Sequence, residues 1–68
     1  MCRSIKRLRE GTEPVPDDEI RAAALQFVRK VSGFREPSQR NAEAFDTAVD
    51  EIAAASKRLI DSVTTSMR

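Results

Sequence analysis

Residues 39–68 contain neither glycine nor proline, and Phe45, Val49, Ile52, Ser56, Leu59 and Val63 recur through them at alternating spacings of four and three. With 3.6 residues per turn, those spacings place all six side chains on one side of an α-helix. A half-buried strand would need alternation every second residue, and this stretch has no such pattern. Ala48, Ala53 and Ile60 flank the stripe. The pattern predicts a helix over about 39–64, with the TTSMR tail frayed. Its heptad character spans two to three repeats, too few to define a coiled coil. A helix with one apolar side is stable only when something covers that side, so the rest of the chain must be read for the cover.

Upstream, Ile20, Ala24, Phe27, Val28 and Val31 stand at i, i+4, i+7, i+8 and i+11, with Leu25 widening the stripe. This predicts a first helix over about 18–32. Asp17 is the expected N-cap, and Asp18 and Glu19 suit the positive first turn. Gly33 suits the left-handed position after the last turn, where Arg29 and Lys30 favour the carbonyl end. Phe34 then folds back onto the Val28 region. Residues 35–38, REPS, are a break in which Ser38 is expected to cap the second helix, with Asn41 or Glu43 in its first turns. GTEPVP, residues 11–16, is a non-helical connector, because prolines lack a donor and push the residues before them to extended geometry.

The expected fold is therefore all-α: one small domain, 1–68, holding an antiparallel hairpin of about 18–32 and 39–64 behind an N-terminal segment and connector, 1–16. The short connection makes the two helices neighbours. At 1.5 Å per residue they span roughly 22 Å and roughly 40 Å. The second is longer, so its turns from Ile52 to Val63 are left partly uncovered. Ile52, Leu59, Ile60 and Val63 form the candidate interaction surface. Their cover is either the N-terminal segment, through Ile5 and Leu8, or a second copy of the chain. We expect Ile5 and Leu8 to dock, and we expect a homodimer.

Size supports the need for a partner. A core built from 68 residues rarely supplies more than about 3–5 kcal/mol, and small folds usually add disulfides, a metal or another chain. The single cysteine, Cys2, cannot form an intrachain disulfide, and with no histidine a zinc site lacks its usual ligands. No apolar run approaches the ~20 residues of a membrane span. Residues 1–10 lack the apolar stretch of a signal peptide, so the expected compartment is the cytoplasm. No cofactor and no small-molecule substrate are expected.

The strings MCRSI, RAAALQFVRKVSG and AFDTAVDEIAAAS, with the paired LI that follows, resemble a bacterial family of small proteins known only as domain of unknown function 2277. Members open Met-Cys-Arg-Asn-Ile. This chain has Ser4 at the fourth position, and Phe27 where members often have Tyr. The resemblance covers residues 1–63. It implies that the opening pentapeptide is a family feature, and it brings no activity, substrate or site.

Function must then be argued from candidate residues. The net charge of +1 is sorted into blocks of +3, −4, +4 and −2 over residues 1–10, 11–19, 20–40 and 41–68. Arg3, Lys6, Arg7 and Arg9, with Arg29, Lys30, Arg35 and Arg40 around the helix–helix turn, are the candidate phosphate contacts. Against nucleic acid stand the near-neutral total, the absence of Trp and Tyr, and the acids Glu43 and Asp46 beside Arg40 at the start of the second helix. Cys2 is a candidate redox thiol, because Arg3 and Lys6 favour its thiolate. It lacks the histidine that a nucleophilic cysteine would use as base, and no catalytic residue is assigned. Glu43, Asp46, Asp50 and Glu51 read as a solvated acidic face, and Ser56 as a packing serine bonded to the i−4 carbonyl. The reading is a non-enzymatic helical protein–protein interaction module or small regulator. Nucleic-acid binding through the basic blocks is the alternative, and a thiol switch at Cys2 the second.

Overall fold

The computed structural model describes residues 7–11 and 13–66. It contains helix α1, Asp17–Ser32, a 3₁₀ turn at Gln39–Asn41, and helix α2, Ala42–Ser66, with α1 and α2 packed as a hairpin.

Helix α1 begins one residue earlier than the sequence suggests. Asp17 is not the N-cap; it is the first helical residue. Pro16 precedes it with φ −61° and ψ 146°, and no side chain caps the helix. The Pro16 carbonyl accepts from the amides of Glu19 and Ile20 instead. A proline ring fixes φ near this value, so it sets the entry angle without a capping side chain. The Asp17 carboxylate is thereby released for a contact across the hairpin, described below. At the other end Gly33 has φ 81° and its amide donates to the Arg29 carbonyl over 2.9 Å. This is the left-handed termination expected of glycine. The Ser32 hydroxyl accepts from the Phe34 amide and turns Phe34 back toward the hairpin.

The second helix differs from expectation at both ends. Residues 39–41 form a 3₁₀ turn, not the first turn of the α-helix. Ser38 caps no backbone amide; its hydroxyl accepts from Asn41 Nδ2, and its carbonyl accepts from the Asn41 amide. The tail does not fray at 64. Helix α2 runs to Ser66, and Val63 and Thr64 are partly buried. Without a glycine or proline to stop it, the helix continues until the contacts that cover it end.

The core is small: Ala24 and Val28 from α1 meet Phe45 and Val49 from α2, and Ile20 is buried nearer the start of α1. Leu25, Ala48, Ile52 and Ala53 pack on its margin. Ser56 Oγ donates to the Ile52 carbonyl over 2.7 Å, so a hydroxyl sits in the apolar stripe with its bond satisfied. One edge of the hairpin is joined by ion pairs. Arg21 reaches Asp50 at 2.6 Å, and Lys57 reaches Asp17 at 2.8 Å. Both pairs are exposed, and such pairs contribute at most about 1 kcal/mol each. Their structural meaning is register: Asp17 lies opposite Lys57, so α2 continues past the start of α1.

Candidate functional site

Among the described residues, no such pair joins the opposite edge of the hairpin. Asp50 and Ala48 are two residues apart on α2, which puts them on opposite sides of a helix turning 100° per residue. On the Ala48 side lies a trough of about 310 Å³ between the helices. Phe27, Val28, Val31 and Phe34 line it from α1 and the following turn, and Ala44, Phe45, Ala48 and Ile52 from α2. Ser32 and Asn41 are its polar members.

The trough is open. Phe27 is 53 % exposed, Val31 69 % and Phe34 41 %. With aromatic side chains presenting about 200 Å² each, the two phenyl rings alone leave roughly 200 Å² of apolar surface in water. Alanine at 44 and 48 keeps the α2 wall low, so an approaching helix or sheet can reach the rings. Leu59, 64 % exposed, stands seven residues beyond Ile52 and extends the same stripe along α2.

The residues expected to form one interaction surface are divided by the structure. Ile52 lines the trough and Leu59 extends it. Ile60 belongs elsewhere: with Pro14, Val15, Ile20, Lys57 and Thr64 it lines a second hollow of about 330 Å³. Val63 is partly buried. The connector, through Pro14 and Val15, is therefore what lies beside the overhanging end of α2. Leu8 was expected to dock, but it is 38 % exposed and is not among the residues lining this hollow. A short alkyl group placed next to the start of α1 by two prolines reaches Ile60 first. Ile5 lies outside the described residues, as do Cys2, Arg3 and Lys6.

The remaining cations do not form one surface among the described residues. Arg29, Lys30 and Arg35 line a shallow hollow with Gln26 and Gly33 at the end of α1. Arg29 Nε donates to the Arg35 carbonyl over 2.8 Å, which ties the turn to the helix it follows. Arg9 Nη1 donates to the Gly11 carbonyl over 2.7 Å. Arg7 and Arg40 are exposed. Glu43, Asp46, Asp50 and Glu51 are exposed too, with Asp50 held by Arg21. Among the described residues, no group of three or more Cys, His, Asp or Glu gathers to hold a metal ion, and no helix is long and apolar enough to cross a membrane. The Lys57 ammonium is held above the ordinary lysine value, first by its hydrogen bond to Asp17, then by that carboxylate's charge, with Asp61 adding to it.

Sequence reasoning missed the trough because it placed Phe27 and Val31 on one apolar stripe without dividing that stripe into a covered and an open part. Helical spacing groups Phe27, Val31 and Val28 on one broad stripe. Only the crossing of the two helices decides which part of that stripe is covered.

A family model for an uncharacterized conserved protein, DUF2277, matches residues 1–68. The chain belongs to the DUF2277 family. No curated protein and no solved structure matches it. The family carries no described activity, so the functional reading of this DUF2277 protein rests on the trough and its surroundings.

Proposed function

We propose that this chain is a non-enzymatic protein–protein interaction module that works through the Phe27–Val31–Phe34 face. The observation that carries the reading is the simultaneous exposure of these three side chains around an apolar trough. Isolated exposed hydrophobics need no explanation, but a contiguous apolar patch on a small protein marks an interaction surface. Aromatic anchors dominate the energetics of such surfaces. The chemistry of the trough supports recognition by shape: its walls are alkyl and phenyl groups, with one hydroxyl and one amide at the turn end. A small polar ligand would find few groups there to fix its orientation.

The test compares affinity capture by the natural chain with capture by the double variant Phe27→Glu, Val31→Glu, with and without nuclease. Both positions are exposed, so the variant keeps the hairpin. The reading expects protein retained by the natural chain, lost with the variant and unaffected by nuclease. Identical retention by the two chains would contradict it, and nuclease-dependent retention would move the function to the basic residues around Arg29, Lys30 and Arg40.

A further inference from the structure

We infer that the occupant of the apolar face is a second copy of this chain, set against it in the opposite direction about a two-fold axis. This rests on the interaction-module reading above and names the partner. The first argument is the continuous apolar face itself: Phe27, Val31 and Leu59 are each more than half exposed and Phe34 is 41 % exposed, a stripe that the identical stripe of a second copy can cover. The second argument is thickness. The molecule measures 45 × 26 × 16 Å, and its short dimension is that of one layer of helices. Stable domains stack at least two layers around a core. A second hairpin laid on the trough supplies the second layer and makes a four-helix body. Its apolar centre then includes Phe27, Val31, Ala48 and Ile52 from both chains.

Charge fixes the direction. Glu19 and Lys30 are eleven residues apart on α1, which returns them to within about 20° of each other around the helix. Both are exposed, and both lie on the flank that carries Phe27. They sit at opposite ends of α1, near the acidic first turn and the basic last turn. Two hairpins facing in opposite directions bring Glu19 of one copy to the partner's Lys30, twice. Two hairpins facing the same way would set Lys30 against Lys30. Rim charges of this kind select orientation more than they add affinity. The interface is isologous and closes on itself, so association stops at two chains.

Sedimentation equilibrium of the full chain over a wide concentration range tests this directly. The expected mass at high concentration is twice the 7.6 kDa chain mass. Phe27→Glu should weaken association at least about 30-fold, as loss of a central aromatic anchor does. Lys30→Glu, which breaks both copies of the pair, should weaken it by up to about 30-fold, and adding Glu19→Lys should restore it. A natural chain that stays monomeric overturns the self-association while leaving the face free for a different protein, so the module reading survives that result. A dimer unaffected by Phe27→Glu overturns both. A charge swap that fails to restore association overturns the opposed arrangement.

Discussion

Val28 and Val31 are three residues apart on one helix, yet Val28 is 5 % exposed and Val31 69 %. Phe45 and Phe27 differ in the same way, at 7 % and 53 %. The closed seam and the open trough are made of the same kinds of side chain, and the trough is the seam's own continuation around α1 and α2. Hydrophobicity therefore does not distinguish what holds this chain together from what it offers to a partner. The distinction is geometric. Two helices have only one line of contact, and an apolar stripe wider than that line is left in water on one side. On the far edge the stripe is bounded by the Arg21–Asp50 and Lys57–Asp17 pairs, so among the described residues it is the Phe27 side that stands open.

Truncating the two phenylalanines separately is the strongest way to break that comparison. Phe45→Ala should cost about 3–5 kcal/mol of folding stability, the usual loss for a buried phenyl ring. In a core of five residues, that is enough to abolish cooperative unfolding by circular dichroism. Phe27→Ala should leave the unfolding of the isolated chain within about 1 kcal/mol of normal while reducing association. Equal destabilisation by the two would mean that seam and trough are one core.

A smaller effect separates the turn from both. Gly33→Ala must place a Cβ at φ 81°, although no atom lies within 4 Å of it. The cost is conformational, about 1–2 kcal/mol, and chemical denaturation should show it as a lower midpoint with an unchanged slope. The ion-paired edge should respond least. Asp50→Asn, which removes the exposed Arg21 partner, should cost at most about 1 kcal/mol. For Lys57 the sign is set by its raised value in the folded state. Its contribution is complete below the ordinary lysine range, near 10.4, and is lost as pH rises through the folded value. Thermal unfolding of the natural chain and of Lys57→Met should therefore differ by the same small amount from pH 7 to 10, and converge above it.

Much of the architecture is legible in the residues. The four–three spacing of Phe45 to Val63, the Gly33 stop and the GTEPVP connector give an all-α hairpin with a long second helix. The errors lie where the chain chooses between equivalent partners. Asp17 and Ser38 are both good capping residues, but Pro16 had already set the backbone, and Lys57 and Asn41 take their side chains. Leu8 was paired with the overhang of α2 on hydrophobicity alone, whereas Val15 is the apolar residue that the prolines place beside Ile60. The candidate site was half legible. Ile52 and Leu59 were found from helix length, but Phe27 and Val31 stayed on an undivided apolar stripe with Phe34 folded back beside it, because helical periodicity records a stripe and not its width relative to a neighbour.

Amide and methyl NMR of the full-length chain, recorded from dilute to concentrated solution, tests the central claim most directly. The account predicts concentration-dependent shifts confined to the trough face and its rim, Phe27, Val31, Ala48 and Ile52 with Glu19, Lys30 and their neighbours, and Arg21, Asp50 and Lys57 unmoved. Shifts that centre on the Arg21–Asp50 edge, with the Phe27 side silent, would contradict it.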